Sequence, residues 1–257
     1  MIYLDSHCMT GAHYEPRIDK NLQASDILRE MDHYGIDEAY VYHGMAREYD
    51  IQTGNKLLLE EISGIKRLHP SFVLGLHHNK KLPPPGEYIS YAIASGVRLF
   101  RMFFGSFISE SIHIDILAYD ELFGILQEYR LPVMIEFESV FKLSPAEMLQ
   151  LDKVLESYRH LPVILSSFCY DRMILQLIPR LERYPNLHLI SLGMHSTADL
   201  PLLIRLGFRD RIIFGSGFPW QPHGVSRIAL EYADISDKDK AAIAYDNLHS
   251  IIKGVII

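Results

Sequence analysis

Pro132-Val133-Met134-Ile135-Glu136-Phe137, then Ser144-Pro145-Ala146-Glu147 opening a stretch of helical spacing to about Tyr158, then Pro162-Val163-Ile164-Leu165-Ser166: this run decides the fold. Two short, almost wholly apolar segments flank one helix. Ser144 with Glu147 three residues on makes a capping box, and Pro145 sits at the first helical position, where its missing N–H costs nothing. A strand that is apolar on every residue is covered on both faces. Such strands belong to parallel sheets, whose crossovers are helices.

The same unit repeats in both directions. Upstream, strands are expected at Ile2–Asp5, Ala39–Tyr42, Phe72–Leu76 and Val97–Phe103. Helices are expected over Ala24–Gly35 (Ser25 as cap, Gly35 as stop), Asn55–Leu68, Glu87–Ser95 and Tyr119–Tyr129. Downstream, a helix over Asp171–Tyr184 leads to a strand at Leu187–Leu192, a helix over Thr197–Leu206, a strand at Arg211–Phe214, and closing helices, one starting near Ser236. Eight strand–helix units in 257 residues predict an α/β fold, a single (β/α)8 TIM barrel spanning 1–257. The rival is an open doubly wound sheet. No linker, charge run or low-complexity tract divides the chain.

Composition narrows the partners. Lys plus Arg total 25 against 32 for Asp plus Glu, a formal net charge of −7, so no nucleic-acid partner is expected. No apolar run is long enough to span a bilayer, and the opening residues lack the basic start of a secretion signal. Two cysteines, Cys8 and Cys169, fit a reducing compartment, and a cytoplasmic location is expected. The expected partner is a small-molecule substrate or anion, with a homo-oligomer left open.

A TIM barrel works at the C-terminal ends of its strands. The sequence places Asp5, His7 and Met9 there on strand one, sharing one face if the chain stays extended. His43 follows strand two, and His77 and His78 follow strand three. Arg98 and Arg101 lie in strand four, Glu136 and Glu138 end strand five, and Ser166, Ser167 and Cys169 end strand six. His195 follows strand seven, and Trp220 and His223 follow strand eight. Most strand-end histidines are simple rim residues, and an arginine there can pair with a neighbouring acid. Glu136 is different, because an unpaired carboxylate after Pro132–Ile135 would be costly. Cys8 and Cys169 read as small buried residues. Gly105–Ala118, with Phe107, Ile108, Ile112 and Ile114, is long enough to be a lid or an interface. There is no dinucleotide fingerprint, Walker loop, Cys-x-x-Cys, His-Glu-x-x-His or Gly-x-Ser-x-Gly elbow.

Read in order, several segments resemble the amidohydrolase-related family of metal-dependent TIM-barrel hydrolases and decarboxylases. Ile2-Tyr3-Leu4-Asp5-Ser6-His7 is similar to its strand-one Asp-x-His-x-His. Asp210-Arg211-Ile212-Ile213-Phe214-Gly215-Ser216 with Pro219 resembles its eighth-strand signature, and Asp246-Asn247 its closing helix. The resemblance implies a metal-dependent hydrolase or decarboxylase. It also implies a degenerate metal site. The first histidine falls on His7, but the second falls on Met9, the strand-five histidine on Glu136, the strand-six histidine on Ser167, and the strand-eight aspartate on Gly217. A catalytic zinc takes three protein ligands, and direct carry-over leaves His7 and Glu136. The cofactor expected is therefore at most one divalent metal, Zn or Mn, at a non-standard site, with His195 or His223 as the further ligand.

Two functions follow. In the first, His7 and Glu136 are ligands or an acid–base pair, Arg101 grips a substrate carboxylate, and His195 is a ligand or proton shuttle. In the second, the protein is a metal-free, inactive relative that binds a small anion or a protein partner.

Overall fold

The computed structural model describes residues 1–14, 21–76, 82–105, 113–137, 143–166 and 173–257. Eight strands run parallel: β1 (Leu4–Ala12), β3 (Glu38–His43), β4 (Leu68–Val73), β5 (Leu99–Phe104), β6 (Val133–Phe137), β7 (Val163–Ser166), β8 (Leu187–Ile190) and β9 (Ile212–Ile213). A two-residue strand, β2 (Asn21–Leu22), pairs antiparallel with the end of β1. Every residue of β5, β6 and β7 is buried, Arg101, Glu136 and Ser166 included, as strands between two layers must be. The sheet curls until its first and last members meet. Ser6 N–H donates to the Phe214 carbonyl at 3.1 Å, Gly217 N–H to that of His7 at 3.1 Å, and Met9 N–H to that of Phe218 at 2.9 Å.

Helices cover the outside: α1 (Ala24–Tyr34), α2 (Gly44–Glu48), α3 (Ile51–Glu61), α4 (Pro85–Ala94), α5 (Ile116–Glu128), α6 (Pro145–Ser157), α7 (Ile174–Arg183), α8 (Asp199–Arg205), α9 (His223–Glu231), α10 (Asp237–Ala241) and, after a π-helical turn, α11 (Asn247–Lys253). The capping box on α6 forms as read: Glu147 N–H donates to Ser144 Oγ at 3.2 Å, and Ser144 N–H donates back to the Glu147 carboxylate at 2.5 Å. Gly35 ends α1 in the left-handed region at φ 61°. No helix among the described residues is long and apolar enough to cross a membrane.

Four local expectations move. β1 runs to Ala12, well past Asp5, because its polar residues are satisfied at the barrel's centre and seam. Helix α1 is held at its start by Asp26, whose carboxylate accepts from Gln23 N–H at 2.9 Å, not by Ser25. Helix α3 begins early, where Asp50 accepts from Thr53 N–H at 2.8 Å, and it has ended before Gly64, which sits at φ 77°. Strand β4 accordingly starts upstream of the apolar run 72–76 and ends inside it at Val73, since Leu68 already pairs with Ala39.

One irregularity matters for the site. On β1, Asp5 pairs with Ala39 and Cys8 with Val41, so three steps of β1 face two of β3. This bulge breaks the alternation that would put Asp5, His7 and Met9 on one face.

Candidate functional site at the barrel mouth

Register sets the layers of the interior. Phe103, Glu136 and Ser166 are neighbours across β5, β6 and β7, and Arg101 with Met134 form the layer beneath. Met9 pairs with Tyr42 on the far side. Side chains of Met9, Tyr42, Val73 and Phe103, with Ala46 of α2, form a small buried cluster of their own, separate from the main core.

At the centre, His7 Nε2 lies 2.7 Å from Glu136 Oε2. The Ser166 hydroxyl donates to the same oxygen at 3.1 Å. Both His7 and Glu136 are buried. Burial alone would raise the Glu136 carboxyl, but the His7 ring with its hydrogen bond and the guanidinium groups of Arg47 and Arg101 outweigh it, holding it at about 2. Glu136 is therefore an acceptor only, and the Nε2 atom of His7 is the donor. The other ring nitrogen, Nδ1, is buried without a hydrogen-bond partner among the described residues.

Arg101 is 1% exposed. Its Nε donates to Ser71 Oγ at 3.1 Å, Nη1 to Met134 Sδ at 3.0 Å and Nη2 to the Ser6 carbonyl. The guanidinium lies 4.7 Å from the centre of the Tyr42 ring. Tyr42 also meets the His7 ring edge-on at 5.7 Å. These engagements tie Arg101 into the barrel's interior, beneath the pair and not at the open rim.

The group at the rim is one the strand-end reading passes over. Arg47, on α2, stands 4.9 Å from the centre of the Trp220 ring and 5.1 Å from that of Phe103. Its side chain is 9% exposed, and Nη1 lies 3.7 Å from the Glu48 carboxylate. Standing four places beyond the end of β3, Arg47 closes no apolar run and so carries no such signal in the sequence.

The other candidates scatter. His195 is exposed in the turn after β8 and makes no hydrogen bond or ion pair among the described residues, so nothing brings it to His7 or Glu136. His43 turns outward: Nδ1 accepts from Met45 N–H at 3.0 Å, and Nε2 lies 3.8 Å from Glu61. His223 opens α9 and lies behind β1, against Asp5 and Cys8. Met9 is buried within its apolar cluster. Gly217, at φ 75°, presents its backbone N–H to His7. His77, His78, Glu138, Ser167 and Cys169, and residues 106–112 of the long connection, lie outside the described residues.

The model of a family described as amidohydrolase matches residues 90–247. No functionally curated protein matches the chain in sequence. Among solved structures, a dihydroxybenzoic acid decarboxylase from Polaromonas sp. JS666, with bound manganese and the inhibitor 2-nitroresorcinol, superposes with a TM-score of 0.76 at 14% identity, over 98% of this chain and 97% of that one. An uncharacterized TIM-barrel protein from Bordetella bronchiseptica gives 0.73 at 15% identity, over 99% of both chains. A probable 2-pyrone-4,6-dicarboxylic acid hydrolase from Acinetobacter baumannii, with citric acid bound, gives 0.72 at 13% identity, over 98% of this chain and all of that one (100%). At such identities the likeness is one of fold.

Proposed function

This chain belongs to the amidohydrolase family, and from that premise we propose that it is a hydrolase or decarboxylase of a small organic acid that works without the family's usual metal. The donors at the expected metal positions suit a cation poorly. His7 spends Nε2 on Glu136, Met9 offers a thioether inside an apolar cluster, and Gly217 offers only a backbone N–H. Arg47 and Arg101 bring positive charge to the same region, which a bound cation would otherwise supply.

The observation that carries the reading is the buried 2.7 Å bond between His7 and Glu136. Hydrolysis takes a proton from water, and decarboxylation delivers one to the carbon that carbon dioxide leaves. Both need a group that moves a single proton. An ionised Glu136 that accepts from Nε2–H fixes the ring so that Nδ1 is the atom left to take or return that proton. Arg47, over Phe103 and Trp220, is the group placed to hold a substrate carboxylate.

The test is turnover of dihydroxybenzoates and a pyrone dicarboxylate with chelator present, folding being checked by circular dichroism. The expected result is chelator-insensitive turnover that falls by more than about 100-fold in Glu136→Gln and in His7→Asn. Turnover that vanishes on chelation from folded protein overturns it. One observation favours a second reading: a carboxylate held at about 2 is a weak base in its own right. Saturable binding of these acids with no turnover would support the metal-free binder instead.

A further inference from the structure

Behind β1, on the far side from the His7–Glu136 pair, three buried side chains of different chemistry face one another. Asp5 and Cys8 come from β1, on either side of its bulge, and His223 from the first turn of α9. All three are 0% exposed. The Cys8 sulphur is 3.5 Å from His223 Nε2, and Asp5 Oδ2 is 3.6 Å from the same nitrogen. The three atoms lie within 4.8 Å of one another. Asp5 Oδ1 is fully used, accepting from His7 N–H at 2.8 Å and from Ser216 N–H at 3.0 Å. Asp5 Oδ2 has no hydrogen-bond partner. A carboxylate oxygen left beside a thiol and an imidazole, with no hydrogen bond of good geometry, is an expensive thing to bury.

We propose that Asp5, Cys8 and His223 form a three-ligand site for a divalent transition metal of the zinc type. The donor set is one oxygen, one sulphur and one nitrogen, the mixture that zinc and cobalt accept. Ligand bonds of about 2.0–2.3 Å at tetrahedral angles put donor atoms roughly 3.3–3.6 Å apart, and the two separations at His223 Nε2 fall in that range. The charges also close. One carboxylate and one thiolate balance a doubly charged ion, with the imidazole neutral, and the thiol proton leaves to solvent as the sulphur binds. None of these three is a residue that could hold a cation at the mouth, so this site stands or falls apart from the proposed function.

Its position gives it a task. Asp5 and Cys8 lie on the first strand, and His223 lies on the helix that follows the last one. The final barrel strand, β9, is only two residues long, and few backbone bonds hold β1 to the segment beyond it. An ion bridging β1 and α9 would staple this seam.

The test uses the full chain produced in zinc- or cobalt-supplemented medium, and also refolded with each metal. One ion per chain is expected, with a sulphur-to-cobalt charge-transfer band in the cobalt form and a rise in Tm over chelator-treated protein. Cys8→Ser should abolish the band, and His223→Gln should weaken metal binding by more than about 100-fold, beyond the loss typical of a group that merely supports a ligand. Cys169→Ser and Glu136→Gln should keep band and stoichiometry. If folded protein from either route carries no metal, or if the band survives Cys8→Ser, the site is wrong. Should Cys8→Ser not fold, His223→Gln decides by itself: undiminished binding overturns the assignment.

Discussion

Glu136 is the side chain through which charge at the mouth becomes measurable. Its carboxyl, ordinarily near 4.5, is held at about 2 in the fold by the His7 ring and the two guanidiniums, against the opposing pull of burial. A group whose folded pKa lies below its unfolded value contributes stability that is complete above the unfolded value and is lost as pH falls toward the folded one. The urea midpoint of the protein should therefore drop between about pH 5 and pH 2, and Glu136→Gln should flatten part of that slope. An equal slope in both proteins would mean that Glu136 is not ionised in this setting. Glu136 could be found in the sequence because a polar residue closing an apolar run is costly unless it has a partner, and His7 because it ends strand one in a stretch similar to the family's Asp-x-His-x-His. Arg47 could not be found that way. It is four residues past its strand, and the ring it stacks on, Trp220, comes from the far end of the chain. His195 shows the converse: following a strand brought it no hydrogen bond or ion pair among the described residues, where it stands exposed.

At the scale of elements, the short helix α2 and the longer α3 pack so closely that no side chain fits between them. A Cβ on Gly54 would stand 2.0 Å from the backbone nitrogen of Ala46 and 2.4 Å from its Cα. Gly124, in α5, has nothing within 4 Å of its would-be Cβ. Gly54→Ala should thus destabilise the protein by about 1–3 kcal/mol or prevent folding, while Gly124→Ala should stabilise it by about 0.5–1 kcal/mol, read by chemical denaturation. Opposite signs for one chemical change test the α2–α3 contact directly. Ala46 also packs with Met9, Tyr42, Val73 and Phe103, so this contact holds Arg47 over the mouth. Helix α2 is hard to read in sequence because five residues, Gly44–Glu48, are too few to show a period. The apolar strands and the Ser144 cap, by contrast, carry their signals within a few adjacent residues. The bulge in β1 leaves no mark in the hydropathy at all, because it is a matter of which amide meets which carbonyl on another strand.

For the whole molecule, the decisive place is where the ring of strands closes. Strand β9 is held from behind by the chain's last helices. Phe214 N–H donates to the Ile243 carbonyl at 3.0 Å, and the Asn247 side-chain amide donates to the carbonyls of Arg209 at 2.8 Å and Ile212 at 2.7 Å. Replacing Asn247 with Ala strips two carbonyls of their partner and should cost about 2 kcal/mol or more. It should also speed amide exchange along β9 and β1 ahead of β5–β7, a ranking that hydrogen-exchange mass spectrometry can read. The eightfold alternation was visible from the outset, since it is a repeat of composition. The closed barrel followed from the count of units, but the groups that brace its last strand, Asn247 and Ile243, did not, since they reach back to it from the chain's end. The irregular step in β1 has one more effect. By letting Asp5 and His7 turn to opposite surfaces of a single strand, it separates the duties of neighbouring residues. Substitutions that refit the inner chamber for new chemistry need not loosen the joint behind it, so a barrel of this kind can change its trade while keeping its hoop intact.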